Sequence, residues 1–127
     1  RDGKLITPAP TENILEGITR TTVMQLAKDE LGMDTLERPI DRSELYIAEE
    51  VFFCGTGCQV AAVIEVDGRA VGTGKLGALT KKIRDIYFAI ARGNVAKYRD
   101  WCTPVYPKNS GTKGASTRAK VRVKSAR

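Results

Sequence analysis

Residues 12–22 form a segment whose residue types and spacing are suited to binding an anion. The segment reads Glu-Asn-Ile-Leu-Glu-Gly-Ile-Thr-Arg-Thr-Thr, and an amphipathic helical pattern follows directly. Gly17 allows the backbone to turn tightly into that helix, whose first N–H groups have no acceptors within it. Because the helix dipole adds positive potential there, these N–H groups form a site for a phosphate. The segment therefore predicts a site for a phosphate-bearing cofactor.

A second candidate anion site is the triplet Gly55, Thr56 and Gly57, which follows an apolar strand pattern. Small residues allow backbone N–H groups to approach an anion closely, and the Thr56 hydroxyl adds one more hydrogen bond. The alternative is a tight turn between two strands with no ligand. The triplet on its own is compatible with both interpretations.

A third glycine pattern, Gly72-x-Gly74-x-x-Gly77, lies between a predicted strand and a predicted helix. This context is typical of dinucleotide binding, but that function also needs a second strand ending in an acidic residue about 20 positions later. Asp100 has suitable spacing but ends no predicted strand. A phosphate-binding P-loop is excluded because Leu76 stands where a Ser or Thr must hold magnesium. The favoured interpretation is a flexible turn between a hairpin and a helix.

Two amphipathic helices are predicted to position these segments. Residues 17–31 have helical periodicity, with Thr19 or Thr22 as the N-terminal cap and Gly32 as the stop. A second helix is predicted to end near Gly93, because its apolar residues recur at intervals of three and four. The predicted apolar faces are Val23, Met24, Ala27 and Leu31 in the first helix, and Leu79, Ile83, Ile86, Tyr87 and Ile90 in the second.

Short strands are predicted around these helices, which together give an α+β fold with mixed strands and two main helices. Asp67-Gly68 is typical of a hairpin turn, and Asp41 begins a capping signature for a short helix to Ala48. Trp101 and Tyr106 are predicted to pack a last segment onto the body. The predicted strands are 5–7, 35–40, 51–54, 59–66 and 69–71, of which 51–54 is expected to be buried.

The composition excludes several classes of chemistry. The 127 residues include no histidine, which excludes Ser-His catalysis, Cys-His catalysis and a His-ligated metal within this chain. The three cysteines, Cys54, Cys58 and Cys102, are an odd number and are predicted to be ordinary buried thiols of a reducing cytosol. A redox pair of Cys54 and Cys58 is the alternative. No apolar run approaches the roughly 20 residues that a membrane-spanning helix needs.

The net charge of +6 is concentrated at the C-terminal end. Residues 108–127 contain seven of the 21 basic residues and none of the 15 acidic ones, so residues 1–107 hold 14 basic and 15 acidic groups. Residues 1–107 are predicted to form the folded part, and 108–127 a basic, disordered tail. Nucleic-acid binding by the tail is disfavoured, because no aromatic residue follows Tyr106 to stack on a base.

An ordered set of short motifs resembles a known enzyme family. The motifs are Lys-Leu-Ile-Thr-Pro at 4–8, Ile-Leu-Glu-Gly-Ile-Thr-Arg at 14–20, Glu-Arg-Pro-Ile at 37–40, Glu-Leu-Tyr at 44–46, Ala-Glu-Glu-Val at 48–51, Gly-Thr at 55–56, Val-x-Glu-Val-Asp-Gly-Arg at 63–69, Gly-Lys at 74–75 and Thr-Lys-Lys at 80–82. As a set they resemble the C-terminal part of the large domain of branched-chain amino acid aminotransferases, which are fold-type IV pyridoxal-phosphate enzymes. The resemblance covers about residues 2–105.

The resemblance implies a binding site for pyridoxal 5'-phosphate around the first segment. After Gly17, the backbone N–H groups of Ile18 and Thr19 would bind the cofactor phosphate, and Leu15 would pack on the pyridine ring. The Thr56 hydroxyl would donate to the same phosphate.

The resemblance also implies a substrate site and a missing nucleophile. Thr56 and Gly57 would lie beside the substrate carboxylate, with small amino acids and 2-oxo acids as substrates. In the family, the Schiff-base lysine and the glutamate on the pyridine nitrogen lie upstream of the matching segment. No residue of this chain is therefore assigned a catalytic role, and no metal is expected.

Because the sequence starts at Arg1 rather than Met, we expect it to be a fragment that is inactive alone. The longer enzyme would be a cytoplasmic homo-oligomer of amino-acid biosynthesis, without membrane contact. It would transfer amino groups between valine, leucine or isoleucine and 2-oxoglutarate. Two alternatives are a non-catalytic remnant or binding module of the same fold, and a related D-amino acid aminotransferase or aminodeoxychorismate lyase.

Overall fold

The computed structural model describes residues 2–106 and has the mixed helices and strands of the α+β fold that the sequence predicts. The helices are α1 (Ile18–Leu31), α2 (Arg42–Leu45) and α3 (Ala78–Ala91), with 3-10 turns at Pro10–Glu12 and Ala96–Trp101. The strands are β1 (Leu5–Thr7), β2 (Thr35–Glu37), β3 (Val51–Gly55), β4 (Gln59–Val63), β5 (Glu65–Val66) and β6 (Arg69–Ala70). The tail predicted at 108–127 lies outside the described residues.

The strands β1 and β2 and the helix between them form a parallel β-α-β unit. Leu5 pairs with Thr35 and Thr7 pairs with Glu37, so both strands run in the same direction. Helix α1 connects them, and its N-terminus therefore lies at the edge where the strands end. This edge is where α/β units bind phosphate-bearing ligands.

Helix α1 begins earlier than either predicted cap. Gly17 is the N-cap, with extended backbone angles (φ −76°, ψ 148°), and no side chain caps the helix. The prediction of Thr19 or Thr22 as the cap is therefore wrong, since both lie inside the helix. The predicted stop is confirmed, because Gly32 is left-handed (φ 63°) and its N–H donates to the last carbonyls.

The remaining strands form two antiparallel hairpins. In the first, Val51 pairs with Val63 and Gly55 pairs with Gln59, so residues 56–58 form the connecting turn between β3 and β4. In the second, Asp67 (φ 51°) and Gly68 (φ 73°) form the predicted turn between β5 and β6. The single strand predicted at 59–66 is thus divided at Ile64 between the two hairpins.

The second predicted strand and the short helix are shorter than the sequence indicates. The strand predicted at 35–40 ends at Glu37, just before Pro39, which has no N–H to donate. The capping box is confirmed, because the Asp41 side chain accepts from Ser43 and the Glu44 side chain accepts from the Asp41 backbone. The helix nevertheless ends at Leu45 rather than at Ala48.

The core consists of two clusters of buried side chains that α1 and α3 share. The first contains Val23, Val60 and Ile83, and the second contains Leu26, Ile90 and Tyr98. The predicted faces of both helices are confirmed at Val23, Ala27, Ile83 and Ile90. The sequence prediction did not include Leu26 or Tyr98.

Several residues are more exposed than predicted. Phe53 is 65% exposed and the rest of strand 51–54 is only half-buried, so the expectation that this strand is buried is wrong. Trp101 contacts the Tyr98 ring, but Tyr106 is 84% exposed and does not pack as predicted. Within residues 2–106, no helix has the length and apolar character needed to cross a membrane.

The cysteines are not uniformly buried, which corrects the prediction of ordinary buried thiols. Cys58 is exposed, whereas Cys54 and Cys102 are half-buried, and all three are free thiols. Burial raises the pKa of the Cys54 thiol, and the nearby Cys58 raises it further. Cys54 is therefore a poor nucleophile at neutral pH.

Candidate functional site

The N-terminus of α1 presents backbone N–H groups without helical acceptors. The first helical hydrogen bond runs from the Thr21 N–H to the Gly17 carbonyl (3.1 Å), so the N–H groups of Ile18 and Thr19 precede the helical pattern. Gly17 itself donates to the Leu15 carbonyl (2.8 Å), which fixes the turn into the helix. With no side-chain cap, this end of the helix has the polarity that a phosphate needs.

A cavity of about 680 Å³ lies beside this turn, between β1, the first half of α1 and β3. Its lining includes four predicted site residues: Leu15, Gly17, Thr19 and Thr56. Ile18 does not line the cavity, and its side chain, like that of Leu15, is 88% exposed. The role predicted for Ile18 involves only its backbone N–H, which an exposed side chain does not block.

The triplet at 55–57 connects two strands and also borders the cavity. Gly55 and Thr56 line it, whereas Gly57 does not. A Cβ added at Gly57 would have no atom within 4 Å, so the backbone there is accessible. The two interpretations of the triplet are therefore compatible, because a strand-to-strand turn brings Thr56 to the same cavity as the α1 N-terminus.

The N-terminus of α3 is closed by a carboxylate, unlike that of α1. Glu50 accepts hydrogen bonds from the backbone N–H groups of Leu79 (3.0 Å) and Thr80 (2.7 Å). Burial alone would raise the pKa of Glu50, but these N–H donors outweigh it and lower the pKa. An external phosphate has no place at this helix end, which excludes the dinucleotide interpretation of the glycine pattern.

The spacing of the glycines at 72–77 has a packing explanation. A Cβ on Gly77 would lie 2.0 Å from the Glu50 carboxyl carbon, and a Cβ on Gly72 would lie 2.2 Å from the Glu49 carbonyl oxygen. Gly72 therefore allows the Glu49 backbone to approach closely, and Gly77 leaves room for the Glu50 side chain. The sequence analysis missed the role of Glu50, because its partner helix lies some 30 residues later and no local pattern joins them.

The sequence analysis also missed Arg20, which lines the cavity and has a side chain that is only 12% exposed. Arginine three residues after a helix-starting glycine is ordinary on a helix surface, so its burial could not be foreseen. In residues 2–106, no group of three or more His, Cys, Asp and Glu side chains is arranged to hold a metal ion.

Comparisons with known proteins identify the family. The sequence profile described as amino-transferase class IV matches residues 1–66. The chain is 51% identical over 108 residues to a probable branched-chain-amino-acid aminotransferase of Aquifex aeolicus, covering 85% of this chain and 35% of that protein. It is 41% identical over 105 residues to the branched-chain-amino-acid aminotransferase of Salmonella typhimurium, covering 83% of this chain and 34% of that protein.

Solved structures agree with these relatives. The branched-chain amino acid aminotransferase of Thermobaculum terrenum in its PLP form superposes with a TM-score of 0.80 at 44% identity, covering 84% of this chain and 35% of that chain. The branched-chain aminotransferase of Thermoproteus uzoniensis with norvaline superposes with a TM-score of 0.77 at 47% identity, covering 84% of this chain and 34% of that chain. The chain spans about a third of the length of these proteins. Because the family profile covers more than half of the chain, the chain belongs to the amino-transferase class IV family.

Proposed function

We propose that this chain is the C-terminal third of a branched-chain-amino-acid aminotransferase. The complete enzyme would transfer amino groups between valine, leucine or isoleucine and 2-oxoglutarate with pyridoxal 5'-phosphate as cofactor. The observation that carries the proposal is the uncapped N-terminus of α1, which faces a cavity between β1 and β3. The names of the relatives supply the reaction and the PLP-form structure supplies the cofactor.

The described residues fit the phosphate end of this cofactor. The N–H groups of Ile18 and Thr19 would bind it at the positive end of α1, and the Thr56 hydroxyl, which lines the same cavity, would donate to it as well. A Cβ at Gly17 would have its nearest neighbour at 4.0 Å, so the backbone of this turn is open to a ligand. Leu15 would cover the ring, and Gly57 would lie near the substrate carboxylate. When bound, the cofactor supplies an electron sink for breaking bonds at the substrate α-carbon.

The nucleophilic lysine would come from another part of the longer protein. Lys4 lines the cavity, but its side chain is exposed, whereas an activated amine needs desolvation or a neighbouring cation. The apolar part of the cavity wall would pack against the same part of the protein. It includes Ile14, Met24, Ile40, Leu45 and Phe52.

We also propose that residues 1–107 form the aminotransferase part, and that the complete enzyme is a cytoplasmic homo-oligomer of amino-acid biosynthesis. The relatives' reaction supports the biosynthetic role. Free thiols at Cys54, Cys58 and Cys102 are consistent with a reducing compartment. Exposed apolar side chains such as Phe53 supply surface for contacts with further protein.

The proposed phosphate site is tested by Ile18→Pro in the full-length protein. Proline is well tolerated at the first position of a helix, and the extended Gly17 suits the residue before it, so the variant removes one N–H and keeps the helix. Losing one charge-assisted hydrogen bond costs about 1.5–3 kcal/mol, which is roughly 10–100-fold in affinity for pyridoxal 5'-phosphate. Isothermal titration of the cofactor into the apo form measures this loss.

The matched control is Ala78→Pro, which places proline at the first position of α3. Glu50 accepts from Leu79 and Thr80 but not from Ala78, so this variant removes no bond to the capping carboxylate. We expect unchanged cofactor affinity in this control. Equal affinities in Ile18→Pro and the unmodified protein would contradict the proposed phosphate site.

A further inference from the structure

The guanidinium of Arg20 joins three points at one edge of the β1–α1–β2 unit. Its Nε donates to the Thr7 hydroxyl (3.2 Å), and its Nη2 donates to the Pro8 carbonyl (3.0 Å) and to the Glu37 carboxylate (2.6 Å). Thr7 ends β1 and Glu37 ends β2, and the two are paired across the sheet. Because Arg20 lies in the first turn of α1, it connects that turn to the ends of both strands.

The Nε and Nη2 donors of Arg20 already have acceptors within the protein. A guanidinium presents its N–H groups in a rigid planar fork, so three acceptors together fix its orientation. The Glu37 carboxylate balances its positive charge, and the side chain is only 12% exposed. Arg20 thus cross-links α1 to the ends of β1 and β2.

Arg20 also holds both ends of the loop that leads into α1. The loop leaves β1 at Pro8, whose carbonyl accepts from Arg20, and it enters the helix at Gly17, three residues before Arg20. Leu15 lies within this loop and lines the cavity. Fixing the distance between the loop ends therefore restrains the turn that presents the N–H groups of Ile18 and Thr19.

We propose that Arg20 is a positioning residue for phosphate binding. It holds the first turn of α1 at the strand ends, and with it the N–H groups of Ile18 and Thr19, so that both donors meet the phosphate together. This inference rests on the proposed function. It assigns to Arg20 an indirect role in cofactor affinity, with no contact to the cofactor.

The test compares affinities for pyridoxal 5'-phosphate and for pyridoxal, which lacks the phosphate, in the full-length protein. Arg20→Met keeps the apolar stem and removes all three hydrogen bonds. We expect about tenfold weaker binding of pyridoxal 5'-phosphate, the lower end of what second-layer residues contribute at other sites, and unchanged binding of pyridoxal. Arg20→Lys restores a cation near Glu37 but not the fork, and should recover part of the loss.

The control is Arg42→Met, which removes another arginine–carboxylate pair, with Asp67, and neither of these two residues lines the cavity. It should leave the ratio of the two affinities unchanged. An Arg20→Met variant that loses both ligands equally, or neither, overturns the proposal. If Arg20→Met does not fold, the same comparison with Arg20→Lys decides: an unchanged ratio overturns the proposal, and a reduced one supports it.

Hydrogen exchange separates this inference from the proposed function. If the unmodified protein binds pyridoxal 5'-phosphate no better than pyridoxal, the proposed phosphate site is wrong. Exchange of a peptide covering residues 14–22, measured by mass spectrometry without ligand, still tests Arg20. Faster exchange in Arg20→Met than in Arg42→Met supports its positioning of the turn, and equal rates overturn it.

Discussion

At the scale of single residues, the Glu50 carboxylate distinguishes two helix N-termini that have similar sequences. Both α1 and α3 begin after a glycine with extended backbone angles, and this N-cap glycine has no side chain that could cap the helix. Glu50 occupies the N-terminus of α3 through two backbone N–H groups, whereas α1 faces the cavity. The difference lies in a long-range contact, so the helix patterns alone could not reveal which end is available to a ligand.

The Glu50 cap predicts a defined pH dependence of stability. Its pKa is lowered in the folded protein, so its contribution is present above the ordinary glutamate value of 4.5 and is lost as the pH falls through the lower folded value. Replacing it by Glu50→Gln should cost about 1 kcal/mol at pH 7, as for other N-terminal caps. Urea unfolding at several pH values should show this cost shrinking below pH 4.5, and a difference that is constant with pH would contradict the assignment.

At the scale of elements, the sequence predicts those turns and helix ends that depend only on neighbouring residues along the chain. The helix stop at Gly32, the hairpin turn at Asp67-Gly68 and the capping box at Asp41 are local signals, and all three are confirmed. The start of α1 was mispredicted because threonines nearby offer equally good capping side chains. Tyr98 was missed as a core residue because its burial depends on packing against α1 and α3.

The glycine loop at 72–77 gives a prediction about packing between elements. Gly72→Ala should destabilise the full-length protein by about 3 kcal/mol or more, because φ is positive and a Cβ would lie 2.2 Å from the Glu49 carbonyl oxygen. The matched control is Gly74→Ala, also at positive φ but with its nearest atom at 3.4 Å, which should cost roughly 1–2 kcal/mol. Chemical unfolding midpoints measure both, and equal costs would show that the close approach at Gly72 is relaxed in solution.

At the scale of the whole molecule, the described residues leave surfaces that further protein would cover. The strands form three separate two-stranded sheets, a size that is marginally stable by itself. Every strand therefore has an unpaired edge among residues 2–106, and such edges promote association. Leu15 and Phe53 are exposed beside the cavity, where the proposed remainder of the enzyme would pack.

The last prediction follows from these surfaces and from the exposed position of Lys4. The 127-residue chain alone should show no transamination of leucine with 2-oxoglutarate and should associate into large particles, measured by coupled assay and light scattering. Joined after the upstream two thirds of the Aquifex aeolicus relative, it should be active when pyridoxal 5'-phosphate is supplied. Ile18→Pro in the joined protein should raise the cofactor concentration needed for half-maximal activity, and Ala78→Pro should not. Turnover by the isolated chain would instead place a competent lysine within it, and the proposed division of the active site would then be wrong.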